Sequence, residues 1–146
     1  MARLKLDIPN QPFPFQTIIP VRITDLNYGG HVGNDTILSM IHEARVQYLA
    51  SNGYSELSMA GVGLIMGDVG IEYKSELFYG DQVVVAVCAG DFSRVGFDLY
   101  YILEKSEGEQ KRLVAIAKTG MVCYNYQAKK IAAVPEEVKT KLSYLP

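Results

Sequence analysis

The sequence contains little cysteine and little histidine, and these shortages exclude several kinds of protein. Only two cysteines occur among 146 residues, Cys88 and Cys123, and neither belongs to a CxxC motif. Each lies inside an apolar run, so we expect buried free thiols rather than a disulfide or a thiolate nucleophile. With two histidines, His31 and His42, the chain offers too few ligands for a dedicated zinc site.

The sequence also lacks a long apolar segment and an excess of positive charge. No apolar run approaches the roughly 20 residues that a membrane-spanning helix requires, and the amino terminus has no apolar core like that of a secretory signal. We therefore expect a cytoplasmic protein with no membrane partner. The net charge is -2 and the 14 lysine and arginine residues are scattered, so we expect no nucleic-acid partner.

The composition that is present belongs to an ordinary globular domain. Hydrophobic residues make up 49% of the chain and charged residues 21%, which is the usual range for such domains. A chain of this length can bury roughly two thirds of its unfolded surface in one core. Because the sequence has no repeat, linker or low-complexity segment, we interpret residues 1–146 as a single domain.

One strand and one long helix are predicted in the first third of the chain. Residues 13–24 are rich in aromatic and β-branched residues, and two prolines confine this strand to an edge or a bulge. From Ile37 the apolar residues follow the i, i+3, i+4, i+7 spacing of one helix face. Asn34 or Asp35 is the predicted cap of this helix, and Asn52-Gly53 is its predicted end.

Strand-like composition dominates the rest of the sequence. Four runs rich in Val, Ile, Tyr and Phe are separated by turn signals, which predicts an antiparallel meander over residues 67–74, 82–91, 95–104 and 111–126. A short final helix is predicted from Pro135. One long helix and several long strands must bury their apolar surfaces against each other. The predicted fold class is therefore α+β, with a curled antiparallel sheet wrapped around one long central helix.

The segment 21–45, VRITDLNYGGHVGNDTILSMIHEAR, concentrates polar chemistry directly before the helix. Attack on an acyl carbonyl places negative charge on its oxygen, and free N–H groups at a helix start stabilise that charge. The amides near His31, Val32 and Gly33 are the candidate donors, because glycines in this loop permit positive φ or close approach to a ligand. Asp25 supplies a carboxylate that can attack the carbonyl or take a proton from water.

This segment resembles the signature of the hotdog-fold acyl-CoA thioesterases, specifically the enzymes similar to 4-hydroxybenzoyl-CoA thioesterase. The signature runs Asp, any residue, Asp or Asn, two residues, Gly-His-Val, Asn-Asn and a helix ending in Glu-Ala-Arg. The residues in register are Asp25, Asn27, Gly30, His31, Val32, Asn34, Glu43, Ala44 and Arg45. The resemblance implies a hotdog fold and hydrolysis of an acyl-CoA to free acid and CoA, without a metal or redox cofactor.

The resemblance also implies roles for individual residues. Asp25 is the implied base or nucleophile, His31 is a further catalytic candidate, and Glu43 is the alternative base because related enzymes place a catalytic Glu on this helix. Otherwise we expect Glu43 to be a buried acid paired with Arg45 or with loop amides. Substrate contacts are expected from loop and hairpin residues, which are Asn27, Tyr28, Gly30, Val32, Gly33, Asn34, Ser93 and Arg94.

Two other functions and the state of assembly stay open. A non-catalytic acyl-CoA-binding module is suggested by Gly29, Gly33 and Ile37, which replace polar or aromatic residues of the family. A hotdog enoyl hydratase would use an Asp and a His to add water across a double bond. A homodimer or homotetramer is expected, because a single hotdog unit leaves the open face of its sheet and an edge strand unpaired.

Overall fold

The structure is a computed structural model that describes residues 3–143 as an antiparallel sheet with two helices. The predicted order of strand, long helix and further strands is confirmed. The elements are β1 (Phe15–Pro20), α1 (Asn34–Ser51), β2 (Gly63–Tyr73), β3 (Gln82–Gly90), β4 (Gly96–Glu107), β5 (Gln110–Asn125), β6 (Lys130–Ile131) and α2 (Glu136–Leu142).

The strand order in the sheet is β1-β3-β4-β5-β2, and β6 adds to one end of β5. All pairs are antiparallel. Strands β1 and β2 are therefore the two edges of the sheet, although they are neighbours in the chain. Helix α1 connects them and packs its apolar side against the inner face of the sheet, as the periodicity predicted.

Alternating residues of the central strands form the inner face. In β4 the predicted apolar face is confirmed, since Phe97, Leu99, Tyr101 and Leu103 are all buried in the core cluster. Burying each such side chain contributes about 1.5–3 kcal/mol to the free energy of unfolding. Buried residues of α1, such as Ile37 and Ile41, belong to the same core cluster, so this packing positions the helix against the sheet.

Both cysteines are buried and free, as predicted. Burial raises the pKa of Cys88 and of Cys123 to about 11. Thiols with such a pKa stay protonated near neutral pH and are poor nucleophiles. Among residues 3–143, no cluster of three His, Cys, Asp or Glu side chains is arranged to hold a metal ion. No helix in this range is long and apolar enough to cross a membrane.

Several boundaries differ from the prediction for local reasons. Strand β1 ends at Pro20, and a short 3-10 turn over Ile23–Asp25 follows, so Asp25 lies in a turn rather than at a strand end. The residue that caps α1 is Gly33, which makes no side-chain hydrogen bond, so the predicted caps at Asn34 or Asp35 are wrong. Strand β2 begins at Gly63, four residues before the predicted start at residue 67.

The segment from residue 3 to residue 14, called the amino-terminal strap below, crosses the face of the sheet that points away from α1. The Leu6 N–H donates to Glu72 Oε2 at 2.6 Å on β2, and the Gln11 side chain donates to the Ala89 carbonyl at 3.3 Å on β3. The expectation that this face is open is therefore wrong. The contact between the strap and the sheet could not be predicted from the sequence, because the strap has no hydrophobic periodicity.

Candidate active site at the start of helix α1

The loop before α1 is a tight turn held by its own backbone. The Asn27 N–H donates to the His31 carbonyl at 2.8 Å, and the Gly30 N–H donates to the Asn27 carbonyl at 3.1 Å. Gly30 has the predicted positive φ, at 84°. Gly33 instead has φ of -72°, an extended conformation that any residue adopts. Of these two glycines, only Gly30 therefore adopts the predicted positive φ.

The helix start presents free N–H groups, although not all of those predicted. The Val32 N–H donates to the Leu77 carbonyl at 2.9 Å, so it cannot also bind a substrate oxygen. The N–H groups of Asn34 and Asp35 have no hydrogen-bond acceptor within residues 3–143, as expected for the first turn of a helix. Of the three predicted donors, Val32 is therefore excluded, whereas the N–H groups of His31 and Gly33 also have no acceptor within residues 3–143. The amides of Asn34 and Asp35 on the helix join them as candidate oxyanion donors.

A cleft of about 440 Å³ between β1 and α1 contains both candidate carboxylates, and we call it the acidic cleft. Its lining residues are Ile18, Ile19, Pro20, Arg22, Asp25, Thr36, Ser39, Met40, Glu43 and Gln47. Apolar side chains come mainly from β1, and polar side chains come from one face of α1. The acidic cleft therefore combines an apolar wall with two carboxylates.

Asp25 is fixed at the wall of the acidic cleft. Its side chain is only 8% exposed, and its Oδ2 accepts a hydrogen bond from the Arg22 N–H at 2.8 Å. The Arg22 guanidinium lies 3.3 Å from Oδ1, but that side chain is 74% exposed. Such an exposed pair is weak, so Oδ1 can be released to a substrate while Oδ2 stays anchored.

Glu43 is exposed and faces the acidic cleft, so the expectation of a buried acid paired with Arg45 is wrong. Its Oε2 accepts from the Gln47 side-chain amide at 2.7 Å, and the Gln47 carbonyl oxygen accepts from the Thr17 hydroxyl of β1. Arg45 is buried and pairs with Glu56, with 3.3 Å between Nε and Oε1. Residues two apart on a helix point about 200° from each other, which separates Glu43 from Arg45.

His31 lies in a different cleft, of about 300 Å³, which we call the histidine cleft. The His31 Nε2 is 4.0 Å from Glu76 Oε1, and the Tyr73 hydroxyl donates to the Asn34 carbonyl at 3.3 Å. The other lining residues are Val32, Ile37, Lys74, Ser75 and Leu77. The structure thus brings Asp25 together with Glu43 and does not bring either carboxylate together with His31.

The remaining predicted contacts are spread over the surface. Tyr28 is fully exposed in the loop, and Asn27 is exposed with its side chain accepting from the Gly29 N–H at 2.8 Å. Ser93 lines a separate cavity on the sheet, and the Arg94 carbonyl accepts from the Val134 N–H. The β3–β4 turn with Ser93 and Arg94 therefore borders neither cleft of its own chain.

Sequence reasoning missed several cleft residues. Ser39 and Gln47 each lie four residues from the predicted Glu43 on one helix face, and that spacing was readable from the sequence. Tyr73 and Glu76 had no comparable signal, because the end of β2 reaches the helix start only through the folding of the sheet.

Comparison with known proteins identifies relatives along most of the chain. The model of the thioesterase-like superfamily matches residues 21–142. A 1,4-dihydroxy-2-naphthoyl-CoA hydrolase from Microcystis aeruginosa is 30% identical over 135 residues, which cover 90% of this chain and 94% of that protein. The crystal structure of a 1,4-dihydroxy-2-naphthoyl-CoA thioesterase from Synechocystis superimposes with a TM-score of 0.77 and 26% identity, covering 88% of this chain and 94% of the other.

A more distant structure agrees in fold. A variant of a 4-hydroxybenzoyl-CoA thioesterase, crystallised with 4-hydroxybenzoyl-CoA, has a TM-score of 0.79 at 16% identity, covering 88% of this chain and 98% of the other. The predicted hotdog fold and the predicted class of enzyme, a thioesterase, are confirmed. The chain belongs to the thioesterase-like superfamily.

Proposed function

We propose that the protein hydrolyses an acyl-CoA thioester to the free acid and CoA at the start of α1. One observation carries this proposal: Asp25 and Glu43 line a single cleft together with Thr36 of the first turn of α1. In the same turn the N–H groups of Asn34 and Asp35 have no acceptor within residues 3–143. Thioester hydrolysis needs a carboxylate near the carbonyl carbon and donors near its oxygen. Membership of the thioesterase-like superfamily supports the same reaction.

In the proposed reaction Asp25 acts as a general base or as the nucleophile. As a base it takes a proton from water, the hydroxide adds to the carbonyl carbon, and the C–S bond breaks when the tetrahedral oxyanion collapses. CoA leaves as a thiolate and receives the proton from Asp25. As a nucleophile, Asp25 displaces the CoA thiolate to form a mixed anhydride, which water then hydrolyses. In both routes the amides of Asn34 and Asp35 stabilise the oxyanion.

Glu43 is the alternative base, since it faces the same cleft. Asp25 is the stronger candidate because it is buried and held by a backbone hydrogen bond, so its position is already set before substrate binds. The carboxylate of Glu43 is exposed and depends on a neighbouring side chain, Gln47, for its orientation.

We further propose that the enzyme is a homodimer paired through β2. This strand is 11 residues long, lies at the edge of the sheet and exposes Ile65, Met66, Val69 and Tyr73. A long apolar edge is normally paired or covered in a native protein. Because β2 runs directly into the histidine cleft at Tyr73, a partner paired there lies beside that cleft. Ser93 and Arg94 border neither cleft of their own chain. In this proposal they therefore contact CoA that is bound to the partner subunit.

A panel of acyl-CoA substrates with detection of the released thiol tests the proposal. The first substrates should be 1,4-dihydroxy-2-naphthoyl-CoA and other aromatic thioesters, because relatives are named for that class, followed by aliphatic chains. Release of free CoA by the wild type is the expected result. Binding of acyl-CoA without turnover would indicate a binding module, and loss of the crotonyl-CoA absorbance without thiol release would indicate a hydratase.

The cytoplasmic location of the protein stays a prediction.

A further inference from the structure

Lys105 is a buried lysine at the end of an apolar row on the inner face of the sheet. The inward-facing residues of β4 from Phe97 to Leu103 are apolar, and Lys105 is the next inward residue along the strand. Its register partner on β3, Val83, belongs to the core, and the Lys105 side chain is only 9% exposed. Lysine is rarely buried unless its charge is paired, because removing an ammonium group from water is costly. A partner for this group must therefore lie within the fold.

The partners of Lys105 lie in residues 75–81 between β2 and β3, a segment that we call the brace loop. The Lys105 ammonium group donates to the Glu76 carbonyl at 2.9 Å and to Asp81 Oδ2 at 3.1 Å. It also lies 5.3 Å from the centre of the Phe78 ring, which is within the range of a cation–π interaction. One side chain of β4 therefore holds both ends of the brace loop against the sheet.

Asp81 connects this ion pair to the backbone of the brace loop. The Oδ2 atom that accepts from Lys105 also accepts from the Phe78 N–H at 2.9 Å, and the Asp81 N–H donates to the Phe78 carbonyl at 3.1 Å. Leu77, directly before this turn, is 1% exposed and belongs to the core. Side-chain, turn and core contacts together thus fix the direction of the carbonyl groups of the brace loop.

Two of these carbonyl groups bind the two ends of the loop that precedes α1. The Asp81 carbonyl accepts from the Val21 N–H at 2.9 Å, and the Leu77 carbonyl accepts from the Val32 N–H at 2.9 Å. Both valines are at most 6% exposed, so water does not compete readily for these hydrogen bonds. The brace loop therefore holds residues 21–32 at both ends.

Each of the two ends carries part of the candidate active site. Val21 is followed by Arg22, whose N–H anchors Asp25. Val32 lies directly before the start of α1, where the candidate oxyanion donors lie. The distance between the carboxylate and these donors thus depends on the two hydrogen bonds to the brace loop.

We propose that Lys105 is a positioning residue for thioester hydrolysis, an inference that rests on the proposed function. Through the brace loop it sets the position of Asp25 relative to the amides at the start of α1. Lys105 lines neither the acidic cleft nor the histidine cleft, so its effect on the reaction is indirect. Such an effect can be large, because a displacement of about 1 Å can lower a rate about a hundredfold.

Two variants and a matched control test this role. Lys105→Met removes the ammonium group and keeps a long side chain, whereas Asp81→Asn weakens the ion pair and keeps an oxygen that can accept from the Phe78 N–H. Lys118→Met is the control, because Lys118 also lies in the sheet and pairs with Asp68 at 3.0 Å but lines neither cleft. The readouts are steady-state kinetics on the best acyl-CoA substrate and amide hydrogen exchange measured by NMR.

In Lys105→Met we expect kcat to fall about tenfold or more and KM to change less than about twofold, the pattern of a defect in the chemical step. The Val21 and Val32 amides should exchange at least about tenfold faster, whereas the Tyr101 amide in the middle of β4 should exchange as in the wild type. Asp81→Asn should shift both readouts in the same direction by a smaller factor, and Lys118→Met should change neither.

Several results would overturn the positioning role. One is a wild-type kcat in Lys105→Met, and another is a lower kcat without faster exchange at either valine. Equally faster exchange at Tyr101 would show that Lys105 stabilises the whole fold rather than this loop. If Lys105→Met does not fold, the same comparisons in Asp81→Asn decide.

Failure of the proposed function gives a different result. In that case the wild type releases no CoA from any thioester, and no variant can lower its rate. Amide exchange at Val21 and Val32 then still shows whether Lys105 holds the loop that precedes α1.

Discussion

The two clefts beside the start of α1 differ in what they offer a thioester. The acidic cleft holds two carboxylates, Asp25 and Glu43, and an apolar wall from β1. The histidine cleft holds His31, the Tyr73 hydroxyl bonded to the Asn34 carbonyl, and the continuation of the edge strand β2. One cleft therefore has groups that can attack a carbonyl, and the other has groups suited to binding polar parts of a substrate.

This difference teaches that a compact motif in sequence need not form a compact site. Asp25 and His31 are six residues apart, yet the turn at Gly30 sends their side chains to opposite sides of the helix start. Asp25 and Glu43 are eighteen residues apart and share a cleft. Four variants test the division of labour between the two clefts.

The largest expected effect is from Asp25→Asn, which removes the proposed base or nucleophile. We expect kcat for acyl-CoA hydrolysis to fall at least about a hundredfold, the scale of a lost general base. Arg22→Ala is the control, because it removes the exposed ion pair and leaves the carboxylate and its backbone hydrogen bond in place. If Asp25→Asn retains its activity and only the melting temperature falls, Asp25 merely caps the 3-10 turn.

The next effect is from Gly30→Val, which disturbs the turn between the clefts. A β-branched residue at a φ of 84° costs on the order of 1–3 kcal/mol of strain, although nothing lies within 4 Å of the added Cβ. We expect kcat to fall about tenfold or more. Gly108→Val is the matched control, since Gly108 has φ of 66° and open space in the β4–β5 hairpin. Equal activity in both variants would mean that the thioester does not sit at this helix start.

A smaller effect is expected from Glu43→Gln. If Asp25 is the catalytic carboxylate, the neutral isostere should lower kcat by less than about tenfold. Glu43 then contributes only to the electrostatic potential in the acidic cleft. Gln47→Leu, which removes the amide that bonds to Glu43, should be similarly mild. A hundredfold loss in Glu43→Gln with an unchanged melting curve would transfer the catalytic role to the helix acid.

The smallest effect is expected from His31→Gln in the histidine cleft. We expect KM for acyl-CoA to rise severalfold with kcat nearly unchanged, which is the pattern for a residue that binds substrate and transition state equally. Steady-state kinetics on the same substrate as for Asp25→Asn makes the comparison direct. A loss of kcat with constant KM would place His31 in the chemical step and join the two clefts into one site.

Predictions from sequence were most accurate where the information is local. The end of α1, the apolar face of β4 and the positive φ of Gly30 all followed from periodicity or residue type. The predicted cap of α1 was wrong because Gly33 closes the turn through its backbone, with its carbonyl accepting from the Thr36 and Ile37 N–H groups. The capping preferences of side chains do not reveal a helix start that is closed by backbone hydrogen bonds alone.

The sequence by itself determined the α+β class, the element order, the buried thiols and the loop that precedes α1, because these depend on neighbouring residues and on the burial of apolar side chains. Only the tertiary structure decided that Asp25 shares a cleft with Glu43, that the Val32 N–H is used by Leu77, and that the amino-terminal strap covers the outer sheet face. Each of these contacts joins residues far apart in the chain. Their partners are therefore set by the path of the backbone around the helix and across the sheet.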